Sequence, residues 1–121
     1  MFSTNTNKYK LFNEDALSLL SRLPNSSVDL ILTDPPYNIA LNSTGNIKLT
    51  NGKTINNDIA EWDKKIINPL DYVKDFKRVI SPKGNIFIFT SYSLLGKWHE
   101  AFDKEFKTFQ IFVWHKTTPT E

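Results

Sequence analysis

Apolar positions along the chain alternate between strand-like runs and helix-like stripes. The strand-like runs lie at residues 9–12, 28–33, 85–90 and 109–114. Residues 28–33 read Val-Asp-Leu-Ile-Leu-Thr, a nearly continuous apolar run that is typical of a strand buried on both faces of a parallel sheet. The pattern therefore predicts four short strands, with the second and third in the sheet interior.

Apolar positions at helical spacing lie between these runs. Residues 15–23 carry their apolar side chains on one face, and Pro24 ends the stripe. A second stripe begins at Asn68, which we expect to be an N-cap because Pro69 follows at the first helical position. A third stripe covers residues 94–106. The sequence thus predicts three helices, one after each of the first three strands.

Two segments have the composition of irregular structure. Residues 38–57 are rich in Asn, Thr, Ser and Gly and have little periodicity, so we predict a mobile loop. Pro82 and Gly84 predict a turn between the second helix and the strand at residues 85–90.

The order of these elements predicts an α/β fold in a single domain, residues 1–121. Strands that alternate with helices form a parallel sheet through right-handed crossovers, with helices on both faces. Ligands of such sheets bind beyond the carboxyl ends of the strands. Asp34 follows the run at residues 28–33 directly. We therefore expect a functional site at Asp34.

Composition narrows the classes of function only a little. The net charge of +2 is compatible with a nucleic-acid partner but does not argue for one. The absence of cysteine excludes disulfides and cysteine-ligated zinc, and the two histidines have no ligand spacing, so we predict no metal site. Residues 1–10 lack the apolar core of a signal peptide, and no run is long enough to cross a membrane. We predict a cytoplasmic protein without a membrane partner.

The residues Asp34-Pro35-Pro36-Tyr37 combine stiffness with hydrogen-bond acceptors. Two consecutive prolines fix φ and remove two backbone donors. The Asp34 carboxylate and the Pro35 carbonyl then form an acceptor pair suited to an –NH₂ group, which offers two donors. Tyr37 adds a flat ring on which a base can stack. A rigid turn without chemical function is the alternative interpretation.

The exocyclic amine of adenine is a substrate that needs these features. Its lone pair is delocalised into the ring, so it is a poor nucleophile until acceptors hold its hydrogens and free the lone pair. It can then attack a methyl group on a sulfonium, and positioning and electrostatics supply most of the acceleration. The amine is inaccessible inside a duplex, so the base must be flipped out.

These residues resemble the amino-methylating DNA methyltransferases that use S-adenosylmethionine (SAM). The likeness is to the beta arrangement, in which the catalytic motif precedes the main cofactor motif. It covers residues 9–119, and its core is Asp34-Pro35-Pro36-Tyr37 with the flanking residues. Further family-like stretches are Asp15-Ala16-Leu17, Glu61-Trp62-Asp63, Ser81-Pro82-Lys83-Gly84-Asn85 and Trp114-His115-Lys116.

The resemblance implies a Rossmann-like fold, SAM as cofactor and adenine N6 in double-stranded DNA as the methylated group. Relatives that methylate cytosine N4 or glutamine carry Ser or Asn at the position of Asp34. It further implies that Asp34 and Pro35 bind the target amine and border the methionine portion of SAM. Pro36 belongs to the same catalytic motif, and Tyr37 stacks on the base.

Three further expectations depend on the same resemblance. Asp15 lies near the cofactor, and Asn38 shapes the mouth of the substrate pocket. A restriction nuclease accompanies the enzyme.

The resemblance also implies that the chain is the N-terminal part of a longer catalytic domain. Enzymes of this arrangement continue with a target-recognition region and a glycine-rich cofactor motif. The four glycines of this sequence form no Gly-x-Gly pair. Two further interpretations therefore stay open beside DNA methylation: an inactive fragment that retains the fold or weak nucleic-acid binding, and adenine-N6 methylation of RNA.

Overall fold

The computed structural model of the chain describes most of the sequence. The described residues are 3–5, 8–37, 46–48, 50–52, 54–56 and 66–118. Nine elements follow one another in the order β1 Ser3–Asn5, β2 Lys10–Phe12, α1 Ala16–Arg22, β3 Val28–Thr33, β4 Asn46–Lys48, β5 Thr54–Asn56, α2 Leu70–Val79, β6 Ile80–Ile88 and α3 Tyr92–Phe102. No described helix is long and apolar enough to cross a membrane.

The centre of the fold is the parallel pair of β3 and β6. Residues Leu30 to Thr33 pair in register with Asn85 to Ile88, and α2 makes the crossover between the two strands. This pairing confirms the α/β class and the parallel sheet. It also confirms the strand at residues 28–33, which places Asp34 at the carboxyl edge of the sheet.

The predicted turn at Pro82 and Gly84 lies inside β6 as an irregularity. The register shifts here, because Val28 pairs with Ile80 whereas Leu30 pairs with Asn85. A Cβ atom on Gly84 would stand 2.6 Å from the side chain of Ile80 and 3.1 Å from the carbonyl oxygen of Asp29. Glycine is therefore favoured here because a side chain would collide with Ile80 of the same strand and crowd the Asp29 carbonyl of β3.

Helix α1 is shorter than its apolar stripe by a residue at each end. Asp15 is the N-cap, and its carboxylate accepts a hydrogen bond of 2.9 Å from the Leu17 amide. At the other end Arg78 of α2 donates to the carbonyls of Leu20 and Leu23, each at 2.6 Å. One guanidinium thus binds the Leu23 carbonyl at the C-cap and adds a second partner to the Leu20 carbonyl, which also accepts from the Leu23 amide at 3.1 Å.

Helix α2 begins at Leu70 with Pro69 as its N-cap, one residue later than the sequence predicts, although the Pro69 backbone is already helical. The Asn68 side chain accepts a hydrogen bond of 3.1 Å from the Leu70 amide, and its carbonyl accepts one from Asp71. The helix ends at Val79, and Ile80 continues directly into β6. Val73, Phe76 and Val79 form its buried face.

The three helices of the described residues contribute to one hydrophobic core on one face of the parallel pair. Ile31, Ile86 and Ile88 pack against it from the sheet. The rings of Phe76, Trp98 and Phe102 lie at its centre. The centroid of Phe102 is 5.8 Å from that of Phe76 and 5.5 Å from that of Trp98. The buried hydrophobic residues are Leu20, Ile67, Val73, Phe76, Val79, Leu94, Trp98, Ala101 and Phe102.

The second face of the parallel pair is apolar but exposed. Its side chains are Leu30, Leu32, Phe87 and Phe89. The prediction that the strand at residues 28–33 is buried on both faces is therefore wrong for the described structure. The continuous apolar run arises because both faces are apolar, and the described helices gather on only one of them.

Two further predictions are wrong, each because pairing partners decide whether a strand forms. Within the predicted loop at residues 38–57, β4 and β5 form a short antiparallel ladder. Residues 109–114 are mostly apolar but form no strand, and no described strand pairs with them. The strand predicted at residues 9–12 is present as β2, and it pairs with the polar strand β1, which the sequence does not predict.

Candidate functional site

The candidate site begins at the carboxyl end of β3. Thr33 is the last paired residue of that strand, and its carbonyl accepts a hydrogen bond of 3.0 Å from the Phe89 amide, one residue beyond β6. The sheet therefore holds the chain up to the residue before Asp34. Pro35 and Pro36 follow without backbone donors, so the segment leaves the ladder as a stiff, extended connection.

Asp34 and Tyr37 contact each other across this connection. The Tyr37 hydroxyl donates a hydrogen bond to the Asp34 carboxylate. Asp34 is exposed, whereas Pro35, Pro36 and Tyr37 are half-buried. Desolvation, the hydrogen bond and the negative charge of Asp34 together raise the pKa of Tyr37 to about 12. Tyr37 is therefore a neutral donor at physiological pH.

The N-terminus of α3 adjoins the same segment. Ser91, the N-cap of α3, donates a hydrogen bond of 3.2 Å from its hydroxyl to the carbonyl oxygen of Tyr37. The Ser93 hydroxyl lies 2.9 Å from that of Ser91. Sequence reasoning misses both serines. The sequence signal that could have found Ser91 is its position three residues after the end of β6, close to the edge where the carboxyl ends of the two parallel strands meet.

The segment from Asp34 to Tyr37 joins a charged acceptor to an aromatic ring. The carboxylate has one oxygen that accepts from Tyr37 and a second oxygen that can accept from a bound ligand. The Pro35 carbonyl oxygen is a second acceptor, and proline has no backbone N–H beside it that could donate. Such a group suits a flat ligand with an –NH₂ substituent.

The other predicted site residues lie apart from this group or outside the description. The Asp15 carboxylate caps α1, which gives it a structural role whether or not it also meets a cofactor. The pKa of Tyr72 is raised by burial and then by the nearby charges of Asp15 and Asp71. Asp15 therefore lies beside α2. Asn38 lies outside the described residues.

Two features of the described residues decide how a cofactor could fit, namely the Asp34 carboxylate and the space beside the glycines. The exposed carboxylate of Asp34 fits a positively charged sulfonium group. Gly84 is packed against Ile80, and a Cβ on Gly52 or Gly96 would meet open space. Gly84 therefore leaves no room for a bound group beside its backbone. In the same part of the chain, no group of three His, Asp or Glu residues is arranged to hold a metal ion.

Comparison with known proteins adds a family match. The model of a family described as DNA methylase, of the N6/N4 type, matches residues 28–121. The match begins at the first residue of β3 and so includes the whole segment from Asp34 to Tyr37.

Individual relatives are bacterial methyltransferases. Type II methyltransferase M2.DpnII of Streptococcus pneumoniae is 31% identical over 124 residues, which cover 95% of this chain and 44% of that protein. Type II methyltransferase M2.LlaDCHI of Lactococcus lactis subsp. cremoris is 30% identical, with 90% of this chain and 42% of the relative covered. Type II methyltransferase M.HinfI of Haemophilus influenzae is 27% identical, with 98% of this chain and 35% of the relative covered. The chain thus spans less than half the length of these relatives.

Proposed function

The chain belongs to the N6/N4 DNA methylase family, and from this premise we propose that it carries the amine-binding part of a DNA adenine-N6 methyltransferase. The reaction is transfer of a methyl group from SAM to the N6 amine of an adenine that has been flipped out of the duplex. The observation that carries the proposal is the exposed carboxylate of Asp34, fixed at the carboxyl edge of the parallel sheet and joined to the ring of Tyr37.

Asp34 and Pro35 act on the target amine as a pair of acceptors. One amine hydrogen is held by the carboxylate and the other by the proline carbonyl, which directs the nitrogen lone pair away from the adenine ring. Because β3 and the two prolines hold both acceptors before the base arrives, little reorganisation remains for the reaction itself. When bound, SAM supplies the electrophilic methyl group. After transfer, the nitrogen releases one proton, for which the Asp34 carboxylate is the adjacent acceptor.

Tyr37 supplies the stacking surface for the flipped base. Its hydroxyl is tied to Asp34, so the ring and the carboxylate have a fixed relation before the base enters. Stacking of a base on an aromatic side chain contributes about 1–3 kcal/mol. That interaction offsets part of the cost of unstacking the adenine from the duplex.

Adenine is the proposed base because the motif begins with Asp34. Relatives that methylate cytosine N4 carry Ser at this position, so the resemblance selects adenine, while the acceptor chemistry suits any exocyclic –NH₂ group. We propose Asp34, Pro35, Pro36 and Tyr37 as catalytic-site residues, and Asn38 at the mouth of the substrate pocket. We propose that Asp34 and Pro35 contact SAM. We also propose Asp15, whose carboxylate would have to bind the cofactor while it accepts the capping hydrogen bond from Leu17.

The partners follow from the reaction class. The named relatives are Type II methyltransferases, so we propose double-stranded DNA as substrate, a cytoplasmic location where that DNA lies, and a restriction nuclease as functional counterpart. Residues 1–121 form the N-terminal part of the catalytic domain under this proposal. The target-recognition region and the glycine-rich cofactor motif are then supplied by further sequence.

Labelled methyl transfer from SAM to mixed-sequence DNA tests the proposal, with the full-length protein that contains this chain. Asp34→Ala is expected to lower transfer by at least roughly a hundredfold, because it removes an acceptor that acts in the transition state. Asp103→Ala is the matched control. It removes another exposed carboxylate, at the far end of α3, and should leave transfer unchanged. Wild-type transfer rates in Asp34→Ala would overturn the assignment.

The same assay separates the remaining alternatives. Competition between adenine-containing DNA and RNA oligomers identifies the methyl acceptor. An inactive fragment predicts that residues 1–121 fold but transfer no methyl group, while the full-length protein does. Loss of transfer in the fragment alone leaves the roles of Asp34 and Tyr37 in the full-length enzyme intact.

A further inference from the structure

Ser91 stands at the N-cap of α3, but its side chain does not cap that helix. A serine at this position ordinarily accepts a hydrogen bond from the amide of the second or third helical residue. Here the hydroxyl instead donates to the Tyr37 carbonyl at 3.2 Å. The side chain is therefore directed to a segment 54 residues earlier in the sequence, at the expense of its usual local partner.

Ser93 supports this arrangement. Its hydroxyl lies 2.9 Å from the Ser91 hydroxyl. Since the Ser91 proton points to the Tyr37 carbonyl, Ser93 is the donor in the second bond, and Ser91 accepts from it. Two hydroxyls thus form a relay that ends on the backbone of Tyr37, and the relay fixes the side-chain rotamer of Ser91.

The relay starts from a rigid part of the fold. The Ser91 carbonyl accepts hydrogen bonds from the amides of Leu94 and Leu95, which form the first turn of α3. That helix is held to the core by the buried Leu94 and Trp98. An anchor on such an element transmits little motion to its partner.

The segment from Asp34 to Tyr37 is consequently held at both ends. At its start, the Thr33 carbonyl accepts from the Phe89 amide at 3.0 Å. At its end, Ser91 holds the Tyr37 carbonyl. The two prolines between these points restrict the intervening backbone. Both anchors come from the same short stretch, residues 89–91, which directly follows β6.

We propose that Ser91, supported by Ser93, is a positioning residue that fixes the amine-binding segment through the Tyr37 carbonyl. The inference rests on the proposed function for its catalytic consequence. Ser91 touches neither the base nor the methyl donor in this assignment. It acts by keeping the Asp34 acceptor and the Tyr37 ring in the geometry that the flipped adenine requires, a geometry in which a misplacement of about 1 Å can cost roughly a hundredfold in rate.

The test compares Ser91→Ala, Ser91→Thr and Ser93→Ala with a matched control, Ser81→Ala. Ser81 lies in β6, and its hydroxyl donates a hydrogen bond of 2.7 Å to the Asp29 carboxylate of β3. This contact lies at the opposite end of the strand pair from Ser91. The two readouts are the carbonyl ¹³C chemical shift of Tyr37 in the 121-residue chain, and the kcat and KM for methyl transfer in the full-length protein.

Ser91→Ala is expected to move the Tyr37 carbonyl resonance upfield and to lower kcat roughly ten- to a hundredfold, with the KM for SAM little changed. Ser91→Thr keeps a hydroxyl and should restore both readouts. Ser93→Ala should give a smaller change of the same sign, and Ser81→Ala none. The proposal is overturned if Ser91→Ala leaves the carbonyl resonance in place, or if it moves that resonance while kcat stays at the wild-type value.

Failure of the proposed function would give a different result. If the full-length wild-type protein transfers no methyl group, or if Asp34→Ala is as active as wild type, the catalytic assignment fails. The Tyr37 carbonyl resonance still decides whether Ser91 anchors the segment. The two failures are thus distinguishable, because one appears in the wild-type and Asp34 assays and the other in the serine series.

Discussion

The hydroxyl of Tyr37 donates a hydrogen bond to the carboxylate of Asp34, three residues earlier in the chain. One aromatic residue therefore has two separable features, a ring that can stack on a base and a hydroxyl that orients the Asp34 carboxylate, the proposed acceptor of the target amine. The hydroxyl also binds one carboxylate oxygen, and the other oxygen is the one proposed to accept from the substrate.

Substitutions at Tyr37 separate these two features. Tyr37→Ala removes the ring, and the loss of about 1–3 kcal/mol of base stacking should lower kcat/KM by roughly 5- to 150-fold. Tyr37→Phe keeps the ring and should fall much closer to wild type. The measurement is kcat/KM for labelled methyl transfer to DNA in the full-length protein. A Phe variant as impaired as the Ala variant would mean that the hydroxyl, and not the ring, carries the effect.

Tyr37 also predicts how stability changes at alkaline pH. Its pKa is raised from 10.0 to about 12, mainly by burial and then by Asp34. Between these two values the unfolded chain loses the phenol proton while the folded chain keeps it, so the free energy of unfolding falls as pH rises. The contribution is fully present below pH 10 and lost as pH rises through about 12.

Urea denaturation at pH values from roughly 9 to roughly 12.5 measures this contribution, because that range spans both pKa values of Tyr37. The difference between wild type and Tyr37→Phe should be constant below pH 10 and should change between pH 10 and about 12. The phenol of Tyr72, whose pKa is also raised, is present in both proteins and cancels in the comparison. A difference that stays constant across the whole range would contradict the prediction.

The position of the site could be predicted from sequence because its signal is local. An apolar run identifies β3, and the rule for parallel sheets places the next residue, Asp34, at the carboxyl edge. The Asn68 cap and the buried face of α2 are local in the same sense, since both depend on residues within a few positions.

The parts that the sequence does not reveal depend on distant partners. Nothing in the residues around Ser91 shows that its hydroxyl turns to Tyr37 and not to its own helix. Likewise, the apolar residues 109–114 satisfy the pattern of a strand, but a strand needs a neighbour with free backbone groups. Ile111 to Trp114 are 61–86% exposed in the described structure. An apolar pattern therefore shows that a segment is able to form a strand, and the presence of a pairing partner decides whether the strand forms.

Arg78 joins α2 to the end of α1 through contacts between residues more than 50 positions apart. Its guanidinium donates to the carbonyls of Leu20 and Leu23 and to the side chain of Asn25, and it lies 3.3 Å from Asp75. Hydrogen bonds that involve a charged group contribute about 1.5–3 kcal/mol each. Arg78→Met should therefore lower the free energy of unfolding by at least about 2 kcal/mol. Urea denaturation of the 121-residue chain measures the change.

Two matched variants isolate the cause of that loss. Arg78→Lys keeps the charge but cannot form the same fork of hydrogen bonds, so it should recover only part of the stability. Asp75→Asn removes the charge partner alone and should cost less than about 1 kcal/mol, since an ion pair near the surface contributes little. If Asp75→Asn proves as destabilising as Arg78→Met, the ion pair and not the capping of α1 is the main contribution.

Phe102 provides the corresponding test of the core. Its ring packs against Phe76, Trp98 and Phe106 with centroid distances of 5.8, 5.5 and 5.6 Å, and the residue is 4% exposed. Removal of a buried phenylalanine ring costs about 3–5 kcal/mol, because the lost transfer free energy adds to the cost of the cavity. Small domains have a free energy of unfolding of about 5–15 kcal/mol. Phe102→Ala should therefore lower the urea midpoint strongly or unfold the chain.

Tyr92→Ala is the control on the same helix. Tyr92 is 94% exposed, so its removal should change the free energy of unfolding by no more than about 0.5 kcal/mol. Both variants remove one aromatic ring from α3, and they differ in the face of the helix from which it is removed. Equal losses in the two variants would contradict the placement of the core between α2, α3 and one face of the sheet. A large loss in Phe102→Ala alone would locate the stability of the fold in the same helix whose N-cap, Ser91, binds the Tyr37 carbonyl.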